Sequence, residues 1–190
     1  MHGLFYFIGD KGAGKTSFAT FWAKQEYLAG KHVVLNYAVK FPHTEMTIDE
    51  MAELPDELVD SIVVIDEGLI AANARSVMSK SNNQLIKLVR QLRKMRSKIL
   101  LVSQKYRDVD LQIREDADFI IMMKPEDRYS DTNRYFYYRV FDQKEITPQN
   151  RWGTLIQSGW FDGQGIFGEF DTTTRIHKDR AESLKTKKSK

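Results

Sequence analysis

A chain of 190 residues with 42% apolar and 29% charged residues is long enough for one sizeable core and is most simply a single domain with a small appendage. No apolar run reaches the length that crosses a bilayer and no basic, signal-like segment precedes the first strand pattern, so stable membrane insertion and a secretory leader are not expected. Zero cysteines exclude disulfides and thiolate metal sites, which fits a reducing cytoplasm. The net charge of +3 is small but segregated: nine Asp or Glu and no Lys or Arg lie between Phe41 and Glu67, then ten Lys or Arg and no acid between Gly68 and Arg107. Solvated faces of alternating helices would produce this, and so would the footprint of a polyanion.

In chain order, an aromatic-rich strand pattern from Gly3 to Ile8 runs into Gly9-Asp10-Lys11-Gly12-Ala13-Gly14-Lys15-Thr16-Ser17, which fits G-x-x-x-x-G-K-[ST] without a mismatch. Glycines let backbone N–H groups curl around an anion where a Cβ would collide. Lys15 reaches the outer phosphates as a point charge, and Thr16 offers a hydroxyl to Mg²⁺. Ser17 to Leu28 then suits a helix whose N-terminus points at the phosphates.

Gly30-Lys31 reads as a stop and His32 to Tyr37 as a second short strand, while Thr47 to Val59 predicts one or two short surface helices around Pro55. Ser61-Ile62-Val63-Val64-Ile65-Asp66-Glu67 is a β-branched run of the kind buried on both faces of a parallel sheet, with two acids at its carboxyl end. Asp66 would hold Mg²⁺ through water, and Glu67 would polarise a water for attack on a γ-phosphate. A strand ending in an acidic turn is the plain alternative.

Asn82 to Arg96 predicts a helix with an apolar stripe at Leu85, Leu88, Val89, Leu92 and Met95, leaving Lys87, Arg90 and Lys94 to solvent. Arg96 would fall on that stripe, so either the helix ends before it or the side chain leads to a phosphate or a neighbour. Ile99 to Gln104 is another buried strand, and Gln104 at its end either bonds the attacking water or γ-phosphate or is a strand cap. A short helix over Tyr106–Asp116 and a strand over Asp118–Lys124 follow. From Arg134 the pattern becomes aromatic alternation over Tyr135–Asp142, an antiparallel arm or edge strand. Its aromatics, with Trp152, Trp160, Phe161, Phe167 and Phe170, either fill the gap between sheet and appendage or, interleaved with Arg134, Arg139 and Arg151, stack on bases.

These elements describe an α/β protein, a mainly parallel sheet flanked by helices with a C-terminal antiparallel β extension. The domain is expected to span residues 1–176, with its core at 3–124, its extension at 134–176 and a basic tail at 177–190.

Together the phosphate loop Gly9 to Thr16, the Asp66-Glu67 pair, the basic helix end Arg93-Lys94-Met95-Arg96, and Ser103-Gln104 followed by Leu111-Gln112-Ile113-Arg114 resemble the FtsK/HerA group of P-loop ATPases, especially the small viral DNA-packaging ATPases. The resemblance covers Gly3 to Lys124. It implies a RecA-like sheet binding ATP and Mg²⁺, assembled into a ring, usually a hexamer, that moves double-stranded DNA in the host cytoplasm and docks on a capsid or portal vertex. It also implies an arginine supplied to the neighbouring subunit's site, by position Arg93 or Arg96, with Arg75 the weaker match. Phe167 to Thr172 looks like the closing strand of the zonular occludens toxin-like phage assembly ATPases, which usually carry a membrane segment; its absence from this sequence makes the compact packaging form the expectation. A small nucleotide or nucleoside kinase and an ATP-dependent scaffold that touches no DNA are the competing functions.

Overall fold

The computed structural model describes residues 2–66, 78–104, 106, 111–126, 134–145 and 152–170, with the backbone alone at 78–82 and 145. Glu67, Arg75, Arg151 and the basic tail lie outside the described residues. The strands are β1 (Gly3–Ile8), β2 (Val33–Leu35), β3 (Thr44–Glu45), β4 (Ile62–Asp66), β5 (Lys98–Val102), β6 (Phe119–Pro125), β7 (Tyr135–Asp142) and β8 (Thr154–Asp162). Among the described residues the α-helices are α1 (Lys15–Leu28), α2 (Ile48–Ala52), α3 (Met78–Lys94) and α4 (Leu111–Asp116).

Among the described residues the eight strands share one sheet in the order β3-β2-β4-β5-β1-β6-β7-β8. The first six are parallel to one another, and β7 and β8 add on antiparallel. Every residue of β1 and β4 is buried, as continuous apolar runs in a doubly covered parallel sheet require. On one face Leu4, Tyr6, Val63, Ile65 and Leu101 pack against Leu85, Leu88, Val89 and Leu92 of α3. On the other, Phe5, Phe7, Val64 and Leu100 pack against Ala19 and Ala23 of α1. Each large side chain buried this way contributes about 1.5–3 kcal/mol, so the two layers clamp the sheet from both sides.

Two elements were not legible in advance. β3 is only two residues long, and β8 contains Gly159 and exposes most of its residues, so neither carries a strong alternating pattern. The helix expected over Asn82–Arg96 runs instead from Met78 to Lys94. It ends because Arg96 turns left-handed at φ 62. The Ser97 N–H donates to the Leu92 carbonyl at 3.1 Å and the Arg96 N–H to the Arg93 carbonyl at 3.2 Å, the paired bonds of a Schellman stop. Arg96 is thereby taken off the apolar stripe and out to solvent.

Candidate functional site

The order β4-β5-β1 puts β5 between the strand carrying the glycine loop and the strand ending in Asp66. Both carboxyl ends face the same edge of the sheet. Gly9 leaves β1 at φ 149, and a Cβ there would sit 2.2 Å from the Met123 carbonyl oxygen, so the loop can press this closely on β6 only with glycine. At the far end of the loop, Gly14 takes φ 77, and a Cβ would meet the Phe136 ring at 2.5 Å. Helix α1 starts at the next residue, so its amino-terminal end lies at the loop, while within the loop the Ala13 N–H donates to the Asp10 carbonyl at 3.1 Å.

Lys15 is 7% exposed, and its ammonium donates to the carbonyls of Gly9 at 2.7 Å and Asp10 at 2.8 Å. Burial pushes its pKa below the ordinary lysine value, opposed by the negative charges of Asp66 and Asp10. A cation held across its own loop is placed for the oxygens of a polyanion. The Thr16 hydroxyl donates to Asp66 Oδ2 at 2.6 Å, bridging loop and β4 across 50 residues of sequence. Ser17 is buried inside the first turn of α1, Ala13 is buried beneath the loop, and Lys11 and Gly12 stand exposed at its crest.

Asp66 is oriented by a residue that the sequence did not single out. Asn36, just past β2 and 1% exposed, accepts from the Asp66 N–H at 2.8 Å and donates to the Asp66 carbonyl at 3.1 Å. One buried amide thus satisfies both backbone groups of the acid. A polar residue closing the run Val33-Val34-Leu35 was the only available signal. Beneath Thr16, the Thr20 hydroxyl donates to the Thr16 carbonyl at 2.7 Å and lies 2.8 Å from the Tyr37 hydroxyl, whose ionisation burial strongly disfavours.

Gln104 lies at the tip of β5 beside the loop, but its backbone makes the contact: its carbonyl accepts from the Gly9 N–H at 3.3 Å, and its side chain is exposed. Arg93 and Arg96 are not at this edge. They follow α3 down to the amino-terminal ends of β4 and β5, where Arg96 shares a groove with Ile62 and Lys98. Arg93 is tied to Asp118 at 3.0 Å and to the Asp116 carbonyl. Arg96 pairs with Asp60 at 3.3 Å, with 70% of its side chain exposed. The length of β1, roughly 17 Å, separates them from Lys15 of the same chain.

No protein-family model and no curated protein matches the chain. Solved structures do match it in fold. The N-terminal domain of zonular occludens toxin from Neisseria meningitidis superposes with a TM-score of 0.61 at 16% identity, over 90% of this chain and 100% of that domain. A second solved structure, itself an ATPase domain, gives 0.59 at 13% identity, over 89% of this chain and 84% of that one. The genome packaging NTPase B204 from Sulfolobus turreted icosahedral virus 2, solved with ATP-gammaS, gives 0.55 at 11% identity, over 77% and 94%. The eight-stranded, mostly parallel sheet with its glycine loop therefore has the fold of the RecA-like P-loop ATPases.

Proposed function

We propose that the chain hydrolyses ATP with Mg²⁺ and uses the energy to move double-stranded DNA through a ring of its own copies, a hexamer by its resemblance to the FtsK/HerA group, packaging a viral genome at a capsid or portal vertex in the host cytoplasm. The observation that carries the reading is the Thr16 hydroxyl 2.6 Å from Asp66, directly after a buried Lys15 that is held over the glycine loop. Two oxygens brought together beside a phosphate cradle suit Mg²⁺, which takes few protein ligands and completes its shell with phosphate and water. Bound there, the ion would offset charge developing on the phosphates.

In this reading Gly12 to Ser17 hold the phosphates through backbone N–H groups, the Ala13 N–H exchanging the Asp10 carbonyl for phosphate, and Lys15 swings from the Gly9 and Asp10 carbonyls to the outer oxygens. Glu67 follows the Asp66 peptide that Asn36 fixes, and it takes the proton of the attacking water. Gln104 orients that water. Of the two arginines at the base of α3, both ion-paired, Arg96 is the more exposed, at 70% of its side chain against 36% for Arg93, and is the one we assign to a neighbour's site. It adopts a left-handed turn where glycine is the unstrained choice, which supports a role for its side chain. The genome packaging NTPase B204 shares the fold.

A second reading is a phage assembly ATPase of the zonular occludens toxin type. It is favoured by full coverage of that neisserial domain and by the closing segment, where Phe170 bridges Val39 and the Lys40 N–H donates to the Glu169 carbonyl at 2.7 Å. Steady-state ATP hydrolysis with and without duplex DNA across a salt series, beside a Lys15→Ala control, tests both. Duplex stimulation that fades as salt rises supports the motor. Phosphate transfer to a nucleoside would identify a kinase, and turnover indifferent to DNA would leave the assembly ATPase or scaffold. Glu67→Gln is expected to cut turnover by about 10²-fold or more while nucleotide binding persists.

A further inference from the structure

The antiparallel arm formed by β6, β7 and β8 has two faces of different chemistry. Toward α1 it presents Phe136, Tyr138, Val140 and Phe161, and Tyr138 and Phe161 each lie 4.9 Å from the Phe18 ring. That face fills the gap between sheet and extension. On the opposite face, the strand register sets Lys124, Tyr137 and Trp160 side by side in one cross-strand row and Met122, Arg139 and Ser158 in the next.

Little of this second face serves the core. Trp160 is 60% exposed, and Lys124, Arg139 and Ser158 are exposed as well. The rings of Tyr137 and Trp160 lie 4.8 Å apart. The Lys124 ammonium is 5.9 Å and the Arg139 guanidinium 5.4 Å from the centre of the Tyr137 ring. Among the described residues no carboxylate forms an ion pair with either cation. The Tyr137 phenol is held below its ordinary pKa by hydrogen bonds with Ser158 and Arg139, to which the charges of Arg139 and Lys124 add. Because β6 runs parallel to β1, the row stands at the same edge as the glycine loop. A cavity of about 500 Å³ joins Lys124, Tyr137 and Arg139 to Gly9, Asp10 and Gln104.

We propose that this face binds single-stranded nucleic acid, with bases stacked on Trp160 and Tyr137 and phosphates held by Lys124 and Arg139. The exposed Trp160 indole, with the half-buried Tyr137 ring beside it, costs solubility and gives a duplex backbone nothing, since the flat faces of paired bases are closed inside the helix. An unpaired strand offers every base as a π surface, and interleaved cations neutralise its phosphates without regard to sequence. The three strands span roughly 10 Å, room for about two or three nucleotides. The site goes beyond the duplex motor and needs no hydrolysis, so it stands or falls separately.

The test is fluorescence anisotropy of a labelled oligothymidylate of about 15 nucleotides and of a duplex of equal length, using the full chain without nucleotide. The single strand is expected to bind more tightly than the duplex. Trp160→Ala and Tyr137→Ala should each raise its Kd about tenfold, with Trp160→Phe retaining most of the affinity. Lys124→Ala with Arg139→Ala should flatten the salt dependence; both side chains are exposed, so this variant tests the site even if an aromatic variant fails to fold. Lys87→Ala with Lys94→Ala, on the exposed side of α3, should change nothing, and Lys15→Ala should bind the strand normally while losing any ATPase activity. Unchanged affinity in both aromatic variants overturns the proposal. So does tighter binding of duplex that depends on Lys87 and Lys94, or an effect of Trp160→Ala confined to the sedimentation coefficient, which would mark a contact between copies.

Discussion

Replacing Gly14 with alanine probes the point where the glycine loop rests on the β extension. Two costs add. Holding alanine at φ 77 costs about 1 kcal/mol in backbone strain. The new methyl would also lie 2.5 Å from Phe136 Cγ, and the ring cannot swing aside, because Phe136 is 2% exposed and packed against Phe161 and Phe167. Overpacking of this kind costs about 1–3 kcal/mol. A total near 3 kcal/mol corresponds to a loss of about 9 °C in Tm for a chain of this size. A double-mutant cycle separates the two costs: in a Phe136→Ala background only the backbone strain should remain, giving a coupling of about 2 kcal/mol. Thermal melts and titration with ATP-gammaS are the assays, and Gly14→Ala alone should also weaken nucleotide binding. A coupling below about 0.5 kcal/mol would refute the claim that β7 supports the loop.

Lys15→Met should abolish nucleotide binding yet match or exceed the wild type in Tm at neutral pH. Burial lowers the native lysine's pKa, so the native state sheds its proton before the unfolded chain does and wild-type stability rises as pH approaches about 10.5. The gap between the two proteins should therefore narrow on the alkaline side, and a constant gap would contradict this. Arg96→Gly should stabilise the folded chain by about 1 kcal/mol in urea melts, because the left-handed strain at φ 62 outweighs an exposed ion pair with Asp60, while ATPase of the assembled protein falls. Asn36→Ala strips both backbone partners from Asp66 and should cost about 1–3 kcal/mol. It should also raise the Mg²⁺ concentration needed for half-maximal turnover, which a purely structural loss would leave unchanged.

The glycine loop, the strand ending at Asp66 and the apolar stripe of α3 could be read in the chain because each is a local pattern: conformational freedom, hydrogen-bonding groups and periodicity are properties of neighbouring residues. The α/β class followed from the same kind of information. What pairs with what is a property of residues far apart, and it was decided only in three dimensions. The insertion of β5 between β1 and β4, the approach of Phe136 to Gly14 and the grip of Asn36 on Asp66 all depend on strand order and register, which no short window encodes. The aromatic arm shows the division best. Alternation along Tyr135–Asp142 predicted a strand, but only pairing with β6 and β8 determined which rings meet α1 and which face water, because a strand sends successive side chains to opposite sides and its neighbours choose the side that is buried.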